Sequence, residues 1–435
     1  MSSRLYRGDL LPRILTPPPG PRCRALSQDL RRYEAPGINT LPATGEPAAV
    51  LWQEARGANV LDADGNRYVD LTAGFGVASV GHRHPRVVAA VRRQSGRLLH
   101  GLGDAAAHPG RVALAAELAA RAPVDDAVVY FAVSGADAVE IALKTALLAS
   151  GRPEIVVFDP SYHGLTLGAL AASSRPAFRQ PFAPYLHRRL HRLPFACPPA
   201  AIAELLDERP AIGCLLLEPI VGREGVLVPP EGWLPAVAAI CRQRRVLVVA
   251  DEIFTGFGRT GRLFAVEHEG VRPDLLCCGK ALAGGLPIGV VLGERSLMDA
   301  WSAPGEARHT ATFVAHPLAC AAGLAVLEVL AQEDLVGRAA RWGERLGRRL
   351  ATWPRRFAAV RACRGRGLLW GIELTTATAA GRLSHAARQR GLWLLAGGAS
   401  GRVAQLAPPL VITDRQLDWA LDLLEQLCAE LDRSA

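Results

Sequence analysis

Lysine is almost missing from this chain: two residues, Lys144 and Lys280, stand against 48 arginines. A guanidinium stays protonated, whereas a desolvated lysine can lose its proton and attack a carbonyl. Chemistry that needs a neutral amine is therefore confined to two positions. Long apolar runs are missing too. Val246 to Ala250 and Leu215 to Leu217 fall far short of the ~20 residues a membrane helix requires. Nine cysteines show no C-x-x-C spacing, so neither a zinc site nor a disulfide framework is indicated, and no metal is expected. A reducing, cytoplasmic setting follows. The net charge is +9, yet the arginines are spread along the chain rather than clustered with aromatics, which argues against nucleic acid as a partner. Tandem repeats and low-complexity tracts are absent. Residues 1–35 carry Pro17-Pro18-Pro19 and no apolar core segment, so they do not read as a secretory signal and are expected to form an irregular arm.

What remains is a chain of 435 residues, half of them hydrophobic, enough for one large α/β domain and a smaller one. Two short apolar runs end in chemistry. Val246 to Val249 reads as a buried parallel strand ending in Asp251-Glu252, and Leu275 to Cys278 as a second one running into Gly279-Lys280 and a glycine-rich turn. Cys277 and Cys278 are expected there as small buried hydrophobes. Open α/β sheets bind ligands at the carboxyl ends of their strands, so Asp251 and Lys280 are candidate functional residues.

A third strand, Ala127 to Val133, leads through Ser134-Gly135-Ala136 into a helix from Asp137 to Ala149. Unpaired N–H groups and the partial positive charge at such a helix start favour a phosphoryl group. Lys144 lies four residues after Glu140, the spacing of a surface ion pair, and is assigned no chemistry. Further strands are expected at Glu154 to Phe158, Leu215 to Leu217, Pro287 to Leu292 and Leu368 to Leu374, and a hairpin around Asp62 to Asn66. Helices are expected at Arg86 to Arg97, Pro109 to Arg121 and Pro317 to Leu330. Ser173 to Pro194, rich in Arg, His and Pro, reads as a long connection. His82 and His84 read as loop or helix-start hydrogen-bonding groups. Gly256, Gly258 and Gly261 match G-x-G-x-x-G, but Asp251-Glu252 would put two carboxylates where a pyrophosphate should sit, which argues against a dinucleotide enzyme.

The strings Asp251-Glu252-Ile253, Thr255-Gly256-Phe257-Gly258-Arg259-Thr260-Gly261 and Gly279-Lys280 resemble the signature of class-III aminotransferases, pyridoxal-phosphate (PLP) enzymes of fold type I. The likeness runs from about Asn39 to the C-terminal tail. It implies an α/β fold with a large, mainly parallel-sheet domain flanked by helices (73–324). A smaller α+β domain would be made from both chain ends (36–72 and 325–435), after an N-terminal arm (1–35). It also implies that Lys280 holds the cofactor as a Schiff base and that Asp251 pairs with the protonated pyridine nitrogen. Ile253 and Tyr162, the latter in the aromatic-His-Gly string Tyr162-His163-Gly164, would flank the ring, with Gly135 and Ala136, next to Ser134, on the phosphate. Glu218 would line the site, and Thr312 would reach the partner's phosphate in a homodimer with shared active sites.

Three positions depart from the family. Gln405 stands where many members carry the arginine that binds a substrate carboxylate, and Arg223 stands where the ornithine-like branch carries a glutamate. Arg223 is therefore a candidate for the carboxylate contact. Phe254 replaces a glutamine found near the cofactor's phenolic oxygen in some members. The expected activity is ping-pong transfer of an amino group from an amino acid or ω-amine to a 2-keto acid. An aminomutase, an amino-acid racemase and a non-catalytic PLP-binding protein are the alternatives.

Overall fold

The computed structural model describes residues 7–38 and 49–433. The start of the likeness at Asn39 and part of the expected small domain, 39–48, lie outside the described residues.

The core is a seven-stranded sheet: β1 (Ala127–Ala132), β2 (Glu154–Asp159), β3 (Leu190–Pro194), β4 (Ile212–Leu217), β5 (Leu247–Asp251), β6 (Leu275–Cys278) and β7 (Gly289–Glu294). The spatial order is β1-β7-β6-β5-β4-β2-β3. All neighbours are parallel except β7, which runs antiparallel to both β1 and β6. The strands read as unbroken apolar runs because both faces are buried. Val248, Ala250, Leu276 and Cys278 pack into one apolar cluster, and Val249, Leu275 and Cys277 into another. Full burial of each large aliphatic side chain contributes roughly 1.5–3 kcal/mol. Asp251 lies opposite Cys277, which brings the ends of β5 and β6 together at the carboxyl edge.

A helix, α1 (Gly135–Ser150), covers one sheet face with Ala138, Val139, Ile141, Ala142 and Ala146. Ser134 caps its start, accepting from Asp137 N, and Gly151 in the left-handed region closes its end. A second helix, α2 (Pro317–Gln332), packs on the helices Pro85–Ser95 and Pro109–Ala119. Gly323 lets it approach closely, since a Cβ there would lie 3.2 Å from Leu114. Three antiparallel N-terminal strands, Trp52–Arg56, Asn59–Asp62 and Arg67–Asp70, gain a fourth from Leu392–Trp393, and residues 360–406 supply a further four-stranded sheet.

Two expectations are corrected. The N-terminal stretch is not irregular: Pro21–Tyr33 is a helix. Its start is capped by Asp64, whose carboxylate accepts from Arg22 N (2.7 Å) and Cys23 N (3.1 Å). The cap lies some forty residues away in sequence, out of reach of a local reading. Cys23, Asp62 and Asp64 bring potential ligand atoms within 4.8 Å of one another, but both carboxylates already accept backbone N–H groups. The segment Ser173 to Pro194 is likewise not a plain connection. It holds the short helix Pro176–Arg179 and ends in β3, the sheet's edge strand, and edge strands tolerate the charge and proline that masked it. Among the described residues no helix is long and apolar enough to cross a membrane, and all nine cysteines are free.

Candidate functional site

Lys280 directly follows the Gly279 that ends β6, and its backbone is held in the left-handed region at φ +37°, a conformation that a non-glycine residue keeps only under structural constraint. The residue is half-buried, but its amine is desolvated. Burial, helped by the Arg223 charge, lowers its pKa from 10.5 to about 8 against the pull of Asp251 and Glu218. The Lys280 Nζ lies over the Phe254 ring, 4.2 Å from the centroid. That ring fits between two glycines: a Cβ at Gly76 would sit 2.5 Å from it and one at Gly222 2.4 Å.

The paired carboxylates at the end of β5 part company. Glu252 turns into its own loop, where its carboxylate accepts from Thr255 Oγ1 (2.5 Å) and Val266 N (2.8 Å), and burial raises its pKa to about 7. Asp251 turns into the pocket. Its Oδ2 meets His163 Nδ1 at 2.7 Å and its Oδ1 accepts from Ile253 N at 3.0 Å. His163 is 2% exposed and its Nε2 has no partner. An imidazole so placed holds one carboxylate oxygen and fixes the orientation of the other.

Glu218, at the end of β4, accepts from Tyr162 N (3.0 Å) and Gly222 N (3.1 Å), which locks the loop after β2 to the loop after β4. Burial and the neighbouring Asp251 raise its pKa to about 7, despite His163 close by. Gly135 and Ala136 open α1, and the first N–H groups of a helix have no acceptor within it. Small residues bring this start to the pocket. A Cβ at Gly135 would meet Ile253 at 3.0 Å, one at Gly279 would lie 3.6 Å from Gly135 Cα, and one at Gly164 would lie 2.6 Å from the Ala136 Cβ. Hydrogen bonds, charge interactions and close backbone approach thereby gather Lys280, Asp251, Ile253, Glu218, Tyr162, Gly135 and Ala136 into one neighbourhood.

Thr312 stands elsewhere. It is exposed, and its carbonyl accepts from His100 Nε2 (2.7 Å) beside Gly103. Its loop is tied to α1 by the second lysine, which corrects the expected Glu140–Lys144 pair. Lys144 Nζ meets His309 Nδ1 at 2.8 Å, and His309 Nε2 meets Asp137 at 2.9 Å. Glu140 instead accepts from Thr166 Oγ1 and Gly168 N. The two histidines of the loop before the helix Pro85–Ser95 serve as hydrogen-bonding groups, His82 with Asp70 and His84 as the helix cap.

Arg223 neither pairs with Glu224 nor points away. Its guanidinium lies over the Tyr162 ring at 4.1 Å and near Phe178 at 5.4 Å, while Glu224 is taken by Arg175 at 2.8 Å. Gln405 Nε2 donates to Gly222 O at 3.1 Å. Three residues of this neighbourhood, His163, Arg175 and Phe178, were not singled out from sequence. Only His163 had a signal, its place in the string that pointed to Tyr162, whereas Gly76 belongs to the glycine-rich stretch Gly74 to Val77 that the family resemblance puts at the border of the site.

The donor set fits one kind of cofactor. An aldehyde calls for an amine that can lose its proton, as Lys280 can. A basic ring nitrogen calls for a fixed carboxylate, and a phosphate for an open helix start. Pyridoxal phosphate carries all three groups, so fold and pocket together define an α/β PLP enzyme. Residues 41–428 match the family model of class-III aminotransferases. The chain is 39% identical to the acetylornithine aminotransferase of Methanothermobacter thermautotrophicus, over 88% of this chain and 94% of that one. It is 36% identical to the putrescine aminotransferase of Pectobacterium atrosepticum, over 93% and 90%. The ornithine aminotransferase of Toxoplasma gondii, whose structure holds PLP at partial occupancy in its active site, superposes with a TM-score of 0.86 at 32% identity, each chain covered to 94%. This chain belongs to the class-III aminotransferase family.

Proposed function

We propose that the pocket at the ends of β5 and β6 moves an amino group from an amino acid or ω-amine to a 2-keto acid, with Lys280 as anchor and base. The observation that carries this is the desolvated Lys280 amine beside an Asp251 locked by His163. PLP, when bound, supplies the electron sink. Lys280 would hold it and, as a neutral amine, would take the proton from the substrate carbon that bears the amine. Asp251 would hold the proton on the pyridine nitrogen, and His163 keeps Asp251 in line. Ile253 and Tyr162 would flank the ring, and Arg223 stacks on Tyr162. Ser134, Gly135 and Ala136 receive the phosphate at the start of α1, and Glu218 fixes the loop that carries Tyr162.

The working unit is a homodimer in which Thr312 completes the partner's phosphate site. Support comes from its exposure and from apolar side chains left open nearby: Phe313 is 62% exposed, against the His100 ring, and Leu102 is 65% exposed. Nine free thiols fit a cytoplasmic, reducing setting.

An absorption spectrum of the holoenzyme, taken before and after amines are added one at a time, tests the function. A near-visible band that one donor bleaches and a keto acid restores is expected. A band that no donor bleaches would contradict the reading.

A further inference from the structure

We infer that Arg223 selects substrates by their far end: it takes an amine donor bearing a distal carboxylate and turns away a donor bearing a second ammonium. The inference rests on the transaminase reading and names the substrate class for that pocket.

Every protein carboxylate around Arg223 has a partner other than Arg223, although Glu224 keeps one buried oxygen without a hydrogen bond. Glu224 pairs with Arg175, which also donates to Gly398 O at 2.9 Å. Both oxygens of Glu218 accept backbone N–H groups, and Asp251 is held by His163 and Ile253 N. Arg223 has aromatic faces for neighbours and, among the described residues, no ion pair. A guanidinium lying over a ring keeps its in-plane N–H fork free, and that fork matches a carboxylate in bidentate geometry. The aromatic rings hold the group flat, so little side-chain freedom is lost when it binds.

Its position puts this fork in the pocket. The Arg223 charge is felt at Lys280. Gly222, the residue before it, touches the Phe254 ring over which the Lys280 amine lies, and Gln405 pins Gly222 by its carbonyl. A donor whose amine sits at Lys280 and whose chain runs along Phe254 brings its other end to Arg223. A carboxylate there gains a charge-assisted pair. An ammonium there meets a like charge in a partly dry site, where repulsion is weakly screened.

Three donors with the same four-carbon spacing separate the effects: 4-aminobutyrate, n-butylamine and 1,4-diaminobutane end in carboxylate, methyl and ammonium. The second-order rate at which each bleaches the cofactor band of the holoenzyme is the readout. Relative to n-butylamine, whose rate carries whatever change at Lys280 all three donors share, Arg223→Ala is expected to lower the 4-aminobutyrate rate about 10- to 100-fold and to raise that of 1,4-diaminobutane. Arg223→Glu is expected to invert the preference between the two charged donors. Arg223→Lys keeps the charge without the flat fork and should fall between wild type and Arg223→Ala. Equal losses for all three donors in Arg223→Ala would overturn the inference, because Arg223 would then merely brace Tyr162. Glutarate binding to the resting holoenzyme, measured by calorimetry, needs no turnover. Weaker binding in Arg223→Ala supports the selector and unchanged binding overturns it. Failure of every amine to bleach the wild-type band would instead sink the transaminase reading itself.

Discussion

The helices Leu335–Leu350 and Asp414–Arg433 face each other through a ladder of ion pairs open to water, whereas the pocket at the ends of β5 and β6 holds few charges and keeps them dry. In the ladder Arg345 meets Asp418, Arg349 meets Asp422 and Glu425, and Arg356 also meets Glu425. One glutamate from each region makes the contrast. Partial burial would raise the pKa of Glu425, but Arg356 and Arg349 overcome it and hold it at about 2. Burial wins at Glu218, whose hydrogen-bond donors are backbone N–H groups, and lifts it to about 7 against the pull of His163. Charges paired in water stabilise little, because solvent screens them and two long side chains must be held still. Charges kept from water change their protonation instead, and that is what acid–base chemistry needs.

The strongest break in this contrast is Lys280→Ala, which should abolish both turnover and the near-visible band. A variant that kept either would show that the dry amine is not the anchor. Asp251→Asn keeps the shape and removes the charge, and should lower turnover by ~10²-fold or more. His163→Phe, which removes only the group that aligns Asp251, should cost about tenfold. Steady-state rates with a fixed donor check both, and an unimpaired Asp251→Asn would refute the role given to the carboxylate.

The pH dependence comes next. A lysine attacks aldehydes only when neutral, so capture of an aromatic aldehyde by the apoenzyme should rise with pH and level off above about 8, rather than near the ordinary 10.5. Glu218 favours the charged form of Lys280 and Arg223 opposes it. Glu218→Gln should therefore move the midpoint to lower pH, and Arg223→Ala to higher pH. Midpoints that do not respond to either change would contradict the assigned electrostatics. The smallest effect belongs to the ladder. Arg345→Ala should change stability by no more than about 1 kcal/mol in denaturant unfolding and leave the rates alone. A large loss of activity there would blur the distinction between the two regions.

How much of this could be read from sequence follows the same division between local and distant causes. The strands β5 and β6 and the start of α1 announce themselves because burial on both faces demands continuous apolar runs, and the residue types at their ends are chemical rather than structural. The helix Pro21–Tyr33 escaped because its cap is Asp64, and β3 escaped because an edge strand needs no apolar pattern. Lys144 was misread because its partner, His309, lies on a loop 165 residues away. Arg259 lies within the Thr255-to-Gly261 motif, where nothing local marks its role. It is fully buried, donates to the carbonyls of Leu368 (3.1 Å) and Pro408 (2.5 Å), and has its pKa lowered to about 10 by burial. It clamps the loop after β5 to the C-terminal part of the chain, a contact that only the folded structure reveals. Asp251 was legible as a carboxylate at a strand end, but not its separation from Glu252, which depends on where His163 and Thr255 come to lie.

Borohydride reduction of the holoenzyme followed by peptide mapping tests the central claim most directly, because the chain holds only two lysines. Reduction fixes the cofactor to whichever amine holds it. The dry-amine account predicts the label on the peptide containing Lys280 and none on the peptide containing Lys144. A label on Lys144, or on neither peptide, would contradict it.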